Sequence, residues 1–257
     1  MRFPPPHVID RVVGSGVVRR LEWHESTGST NADVSAAAAA GEPAGLVIGT
    51  DLQTAGRGRR GRSWTESAGR GLALSVPLRP SLPPSRWPLL PLVAGLAVHD
   101  AAASVVGTDR IGLKWPNDLL LDDTKTSGIL VEALNDAVVI GMGINIDWRG
   151  VDRPADLRAT SLAEATDADV DRAAVLVELL EALGRWVDLA ETDPEAIVPA
   201  YVSRCATLGT DVVVHGPSTV TGRAVGLTHE GHLRVRRDDG TEVVVSAGDV
   251  EHLRPST

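Results

Sequence analysis

The stretch that decides the fold is LVIGT-DL-QTAGRGRRGR-SWTESAGR-GLALSVPL, residues 46–78, in which an arginine-rich loop separates two strand-like runs. Residues 46–50 and 71–78 have the apolar composition of buried strands. Between them, residues 53–62 hold four arginines and three glycines. Guanidinium groups grip carboxylates and phosphates, and glycines let a backbone approach a ligand closely. The stretch therefore predicts a sheet that carries an anion-binding loop. The alternative is a disordered Arg/Gly tract.

The overall composition indicates that this basic loop is a local feature. The 257 residues carry a formal net charge of -9, so the electrostatic signature of a dedicated DNA- or RNA-binding protein is missing. The single cysteine, Cys205, excludes an internal disulfide framework and is typical of a reducing compartment. No apolar run approaches the roughly 20 residues that a membrane helix requires. These features predict a soluble, cytoplasmic protein without a membrane partner.

Hydrophobic periodicity predicts an α+β first domain, residues 1–208, in which a mixed β-sheet is backed by helices. Further strands are expected at residues 17–23, 111–115, 128–134 and 137–146. Helices are expected at residues 32–40, 85–106, 171–189 and 196–202. Ser29, Thr30 or Asn31 should cap the first of these helices.

The C-terminal segment has a different pattern, which predicts a second domain at residues 209–257. Short alternating runs occupy residues 212–215, 220–227, 232–236 and 242–246, with Gly and Asp-Gly turns between them. Several short strands with regular turn signals are typical of a small β-barrel.

Three further segments carry groups that suit anion chemistry. Lys114-Trp-Pro-Asn-Asp118 presents a cation, an amide and a carboxylate around a proline turn, and Mg²⁺ favours one or two carboxylates together with substrate phosphates. Lys125 precedes the strand-like run Gly128-Ile-Leu-Val-Glu132. Gly141-Met-Gly-Ile-Asn-Ile146 has two glycines in a strand, which indicates that a group packs against the backbone. Each segment alone could be an ordinary turn or strand.

In this order the motifs closely resemble those of the biotin protein ligase family, the biotin-[acetyl-CoA-carboxylase] ligases. The resemblance extends from about residue 26 to the C-terminus. It rests on Ser29-Thr-Asn31, Gln53-x-x-Gly-Arg-Gly-Arg-Arg-Gly-Arg62-x-Trp64, Lys114-Trp-Pro-Asn-Asp118, Lys125-x-x-Gly-Ile-Leu130 and Gly141-x-Gly-Ile-Asn145.

The resemblance implies a class II synthetase-like catalytic domain with a C-terminal SH3-like β-barrel. It also implies a two-step reaction: biotin and ATP form biotinyl-5'-AMP and pyrophosphate, and a lysine of a biotin carboxyl carrier protein then takes the biotin. The 25 residues before Ser26 are too few for a winged-helix domain. A monofunctional enzyme without DNA binding is therefore expected, as a monomer or weak homodimer.

By the same resemblance, the predicted catalytic residues are Lys125, Arg57 and Arg59. An ammonium group at the junction of carboxylate and phosphate favours the transition state over separated reactants. Biotin is expected to contact Ser29, Thr30, Asn31, Gln53, Gly56, Arg57, Gly58, Arg59, Lys125 and Gly128. ATP or the adenylate is expected to contact Arg59, Arg62, Trp64, Lys114, Asn117 and Asn145, and Mg²⁺ is expected to bind Asp118.

Two alternative functions stand beside this interpretation, and one segment differs from the family's sequence pattern. A lipoate or octanoate ligase or transferase has a related fold, and an Arg/Gly-loop nucleic-acid-binding module would not be an enzyme. After Trp64 the chain reads TESAG, where many relatives have a Ser-Pro pair before the glycine. The glycine-rich loop is predicted to be mobile when free and to fold over the ligand, which would keep water from the reactive adenylate.

Overall fold

A seven-stranded mixed sheet forms the centre of the larger part of the molecule. The computed structural model describes residues 3–14, 16–64, 67–153 and 157–253. The spatial order of the strands is β1-β2-β3-β7-β6-β5-β4; β1 and β2 are parallel and the other neighbours antiparallel. The strands are β1 (Arg20–His24), β2 (Leu46–Thr50), β3 (Gly71–Leu78), β4 (Ile111–Lys114), β5 (Asp118–Leu121), β6 (Thr124–Leu134) and β7 (Ala137–Asn145).

Helices back this sheet, and the central one is α3. The helices are α1 (Pro6–Val12), α2 (Thr30–Ala39), α3 (Leu90–Val106), α4 (Leu162–Thr166), α5 (Arg172–Thr192) and α6 (Ile197–Val202). A 3-10 turn, Pro84–Leu89, leads into α3, and Gly107 ends it. Helix α3 packs against α5 and against the sheet, and Leu92, Val93 and Leu96 are completely buried.

The apolar character of this helical stretch corrects one expectation. Pro84–Val106 is long and apolar enough to cross a membrane, with a mean hydropathy of 1.8 in its most apolar window. However, 72% of that window is buried inside the molecule, as in the core helix of a globular protein. The expectation that no run approaches membrane length was wrong, because a helix packed on all sides is apolar around its whole circumference.

A five-stranded antiparallel sheet follows, in the order β11-β10-β9-β8-β12. Trp115, 2% exposed, joins it to the larger part: its indole Nε1 donates to the carbonyl of Gly231 at 2.9 Å. Thr207 Oγ1 accepts from the Trp115 amide at 3.0 Å and lies 3.0 Å from His252 Nε2. The strands are β8 (Asp211–His215), β9 (Val220–Leu227), β10 (Leu233–Arg236), β11 (Glu242–Val245) and β12 (Asp249–His252). The domain boundary at residue 208 stays a prediction.

The predicted fold class is confirmed, with differences at short elements. The observed bounds of β2, β3 and β9 coincide with the predicted runs. Sequence reasoning missed α1, α4, β5 and β12. Strand β5 begins at Asp118, inside the predicted proline turn, and is only four residues long, so alternation could not reveal it. The TESAG segment after Trp64, which differs from the family pattern, includes positions 65 and 66, and these two lie outside the described residues.

Candidate active site

A cavity of about 260 Å³ lies between the arginine loop (residues 53–64), the start of α2 and one face of strands β6 and β7. Three of the predicted site residues, Gly56, Lys114 and Asp118, are not in its wall. All the others line it: Ser29, Thr30, Asn31, Gln53, Arg57, Gly58, Arg59, Arg62, Trp64, Asn117, Lys125, Gly128 and Asn145. One cavity therefore collects residues from five separate segments of the chain.

The first end of the cavity is built on the N-terminus of α2. Ser29 occupies the N-cap position with extended backbone, but its side chain makes no capping hydrogen bond. Instead, Gln53 Oε1 accepts from the backbone amide of Thr30 at 3.0 Å and from its Oγ1 at 3.3 Å. The N-cap residue thus belongs to the predicted set, but the acceptor for the first free amide comes from the loop and leaves the Ser29 side chain for other contacts.

Buried hydrogen bonds fix Asn31 at the same end. Ser75 Oγ donates to Asn31 Oδ1 at 2.6 Å and lies 2.8 Å from Thr30 Oγ1, and Asn31 Nδ2 donates to Glu132 Oε2 at 2.7 Å. Ser75 is completely buried in β3, and sequence reasoning missed its role. The available signal was a lone hydroxyl in an apolar strand, since buried polar groups need partners.

The floor of the cavity is made of three glycines, Gly128, Gly141 and Gly143, and we call it the glycine floor. Gly128 and Gly143 face each other in register across β6 and β7. A Cβ atom would lie 2.8 Å from the Trp64 indole at Gly128, 2.5 Å from it at Gly143, and 2.0 Å from Asn31 Oδ1 at Gly141. The prediction that a group packs against the β7 glycines is confirmed, and the groups are Trp64 and Asn31.

Each of three loop arginines reaches a different part of the molecule. Arg57 Nη2 lies 3.2 Å from Glu132 Oε2, and Arg62 Nη2 lies 3.0 Å from Asp249 Oδ1. Arg59 Nη1 donates to Asn117 Oδ1 at 3.0 Å and to the carbonyl of Gly248 at 3.1 Å.

Arg59 is also the loop arginine with the clearest desolvation. Burial, and then the neighbouring charge of Arg60, lower the pKa of its guanidinium. An arginine in a protein nevertheless stays cationic at any working pH. The loop thus presents a partly desolvated cation to the cavity, where a charge acts more strongly than in water.

Lys125 stands beside the glycine floor and is paired with Asp118. Its Nζ lies 2.7 Å from Asp118 Oδ1 and 5.8 Å from the centre of the Trp64 ring. Asp118 therefore contacts the cavity through Lys125 rather than directly. Within the described ranges, no group of three or more His, Cys, Asp or Glu side chains could hold a metal ion. Asp118, the predicted metal ligand, is already paired with Lys125.

The far end of the cavity is formed by Asn145 and by residues that sequence reasoning missed. Asn145 is 2% exposed, and its Nδ2 donates to the carbonyl of Thr160 at 2.8 Å. Trp148 and Arg158 also line this cavity. They lie outside any periodic pattern, so the sequence alone gave no signal for them.

Lys114 is the predicted nucleotide-binding cation that the structure does not bring to the cavity wall. It lies opposite Asp118 in the register of β4 and β5. Its charge acts instead on His252: burial first, and then Lys114, lower the pKa of that imidazole.

The fold and the cavity together define a class of ligase. Residues 24–146 match the Biotin/lipoate A/B protein ligase family, and residues 208–253 match the Biotin protein ligase C terminal domain. The chain is 39% identical over 253 residues to the Biotin--[acetyl-CoA-carboxylase] ligase of Mycobacterium tuberculosis, covering 95% of this chain and 94% of that protein.

Two solved structures are similar along most of the chain. The biotin protein ligase from Aquifex aeolicus in complex with biotin and ATP has a TM-score of 0.79 at 30% identity, over 92% of this chain and 99% of that one. The biotin protein ligase from Leishmania major in complex with biotinyl-5-AMP has a TM-score of 0.63 at 26% identity, over 89% of this chain and 99% of that one. The chain belongs to the biotin protein ligase family. It is an enzyme that activates biotin with ATP and transfers it to a biotin carboxyl carrier substrate.

Proposed function

We propose that this cavity is the place where both steps of the ligase reaction occur, with biotin and ATP bound end to end. Biotin's carboxylate attacks the α-phosphorus of ATP, the bond to pyrophosphate breaks, and biotinyl-5'-AMP remains. A carrier lysine then attacks the activated carbonyl and releases AMP. The observation that carries the proposal is that one cavity is lined by buried polar side chains at the start of α2, by a cluster of cations, and by a further set that includes Trp64, Trp148 and Asn145.

The polar end suits biotin's ureido ring. Ser29, Thr30 and Asn31 are each less than 5% exposed, and Gln53 lies beside them. A ureido group both donates and accepts hydrogen bonds, so a site that matches it rejects analogues without those groups. Gly58 lines the cavity, and Gly56 lies behind the wall, where a Cβ would lie 2.7 Å from the Trp64 carbonyl oxygen; both glycines therefore shape the loop that we assign to biotin.

The cations in the middle of the cavity reduce the repulsion between the two anionic substrates of the first step. A carboxylate and a phosphate repel each other, so the barrier contains a large charge term besides orientation. Lys125, Arg57 and Arg59 supply positive charge around the point where the two anions meet. Asp118 holds the Lys125 ammonium before the substrates arrive, which reduces the reorganisation that the reaction requires.

The far end suits the nucleotide. We assign the adenine and ribose phosphate to Trp64, Asn117, Asn145 and Arg62, with Lys114 as a more distant charge. Trp148 and Arg158 join this set because they line the same end. The Trp64 indole lies on the glycine floor and presents an aromatic surface on which a nucleobase can stack.

Magnesium fits the site only as a companion of ATP. The described side chains form no group of three or more metal ligands, and the predicted ligand Asp118 already contacts Lys125. Mg²⁺ commonly binds through one or two carboxylates and substrate phosphates, so most of its ligands would come from ATP. We retain Asp118 as the proposed protein ligand, and bound magnesium would supply further neutralisation of phosphate charge.

The second step sets requirements for partners. The arginine loop must close over the adenylate and open again to admit the lysine of a biotin carboxyl carrier domain. We propose a cytoplasmic enzyme, a monomer or weak homodimer, that does not bind DNA. The net charge of -9 supports the last point, because nucleic-acid affinity depends on accumulated positive charge.

The decisive experiment is ATP-pyrophosphate exchange measured with biotin, with lipoate and with neither. We expect exchange that depends on biotin, followed by transfer of labelled biotin to a carrier domain. Exchange that depends on lipoate would indicate the related lipoate ligase activity, and salt-sensitive RNA binding without exchange would indicate a binding module. Either result would overturn the proposal.

A further inference from the structure

Glu132, on β6, touches two residues of the cavity wall although it does not line the cavity. A single atom, Oε2, accepts from Asn31 Nδ2 at 2.7 Å and lies 3.2 Å from Arg57 Nη2. One carboxylate oxygen therefore links the start of α2 to the arginine loop. Nothing in the two-step reaction described above uses this group.

The first contact fixes the orientation of the Asn31 amide. Ser75 donates to its oxygen, and its nitrogen donates to Glu132 Oε2 at 2.7 Å and more weakly to the Leu130 carbonyl at 3.4 Å, so the amide has opposite partners at its two ends. Turning the amide over would place its oxygen against the carboxylate and leave the hydroxyl facing a donor. Because an amide oxygen has two lone pairs, Asn31 Oδ1 keeps capacity for one further donor, such as a ureido N–H.

The second contact seats Arg57 above the same end of the cavity. The Arg57 and Glu132 side chains are 45% and 35% exposed, so their ion pair contributes modestly to stability. The ion pair holds the Arg57 side chain in place. The guanidinium also offsets the charge of the Glu132 carboxylate, which would otherwise repel an incoming anion. Arg57, like Lys125 beside Asp118, consequently contributes less net charge to the reacting centre than Arg59, whose hydrogen-bond acceptors are neutral oxygens.

We propose that Glu132 is a positioning residue for the biotin end of the reaction, acting through Asn31 and Arg57. This inference rests on the proposed assignment of those two residues to biotin. Glu132 keeps the Asn31 acceptor directed at the ureido ring and holds Arg57 beside biotin. Its removal should therefore affect binding of biotin and leave ATP binding unchanged.

The test compares E132A and E132Q with wild type in steady-state exchange assays at varied biotin and varied ATP. E132A loses both contacts, and we expect the KM for biotin to rise about tenfold, since hydrogen bonds to charged groups are among the stronger ones. The KM for ATP and the kcat should stay within about twofold, because the contacts at the other end persist. E132Q keeps an acceptor for Asn31 and should recover about half of the loss on a logarithmic scale.

The matched control is E22Q, the same change on the edge strand of the same sheet. Glu22 pairs with Arg20 at 3.2 Å and is 39% exposed in its side chain, but it lies away from the cavity. Its KM values should equal those of wild type. An E132A enzyme with an unchanged KM for biotin, or with both KM values raised together, would overturn the inference.

A double variant separates positioning through Asn31 from a general structural role. In an N31A background, E132A should raise the KM for biotin by no more than about threefold, because most of its route to the ligand is gone. Full multiplication of the two single effects would contradict the inference. Failure of wild type itself to exchange with biotin would instead count against the proposed function.

Discussion

Two walls of the same cavity, the arginine loop and the strand pair β6–β7, are constructed in opposite ways. The loop reaches its neighbours through long charged side chains, and two of its ion-paired arginines, Arg57 and Arg62, remain 45% and 56% exposed. The strand pair presents bare backbone at the glycine floor, where an added Cβ would lie 2.0 to 2.8 Å from another group.

The two walls should differ in how well they tolerate amino-acid substitutions. Exposed ion pairs typically contribute about 0–1 kcal/mol each, so one contact of the loop can be lost without collapse. Overpacking a filled site costs about 1–3 kcal/mol, and no alternative side chain relieves it. Function should therefore be more sensitive to substitution on the strand pair than on the loop. Four predictions test this contrast, beginning with the largest expected effect.

Replacing Lys125 on the strand pair should cause the greatest loss. Lys125→Gln keeps a polar side chain of similar length but removes the charge, and we expect adenylate formation to slow by about 10² to 10³-fold, as when one transition-state donor is removed. Single-turnover formation of biotinyl-5'-AMP measures this directly. Lys125→Arg, which keeps the charge, should recover part of the rate. A Gln variant that forms the adenylate at a rate within tenfold of wild type would show that Lys125 does not stabilise the transition state.

A single methyl group on the glycine floor should come next. Gly141→Ala places a Cβ 2.0 Å from Asn31 Oδ1, which is held by Ser75, so we expect biotin affinity to fall about tenfold to a hundredfold. Calorimetric titration with biotin is the measurement. Gly226→Ala is the control, because the nearest atom there is 3.7 Å away, at the Arg234 guanidinium. Equal affinities for the two variants would abolish the contrast between the walls.

Substitution in the loop should have a smaller effect. Arg59→Ala removes hydrogen bonds to Asn117 and to the carbonyl of Gly248, and we expect the adenylate to dissociate about tenfold faster because charge-assisted contacts are lost. A chase of bound labelled adenylate reports the rate. Arg60→Ala removes the same charge from an exposed neighbour and should change the rate less than about twofold. If Arg60→Ala were as damaging as Arg59→Ala, total charge rather than contact would explain the loop.

The smallest effect concerns strand β12, which carries Asp249, the partner of Arg62. Because burial and Lys114 lower the pKa of His252 below its ordinary 6.5, the unfolded chain binds the proton more readily. The stability contributed by neutral His252 is therefore complete above pH 6.5 and is lost as the pH falls from there towards the lowered value.

Acidification should accordingly destabilise the small sheet that carries Asp249, the loop's partner. Thermal unfolding of wild type and His252→Gln between about pH 8 and about pH 5 measures the effect, which should shrink in the variant. His215→Gln, at an exposed residue that ends strand β8 of the same sheet, is the control. A pH dependence that His215→Gln removes and His252→Gln retains would place the titration elsewhere.

The sequence predicted the sheet and most of the cavity wall because those features are local patterns. The glycines at positions 141 and 143 correctly indicated packing against β7, but only the structure could identify Trp64 and Asn31 as the packed groups. The cap of α2 by Gln53 and the pairing of Lys125 with Asp118 depend on how loops and strands meet. Such contacts leave no periodic signal, and neither does Trp148 at the far end.

The glycine floor has a further consequence for how this enzyme can diversify. Every replacement of Gly128, Gly141 or Gly143 adds a Cβ, so no conservative substitution exists at these three positions. The arginine loop, by contrast, can exchange a partner or a charge and remain folded. Descendants of this chain that acquire a preference for a different carboxylic acid should therefore retain the three glycines. Their substitutions should accumulate in residues 53–64 instead.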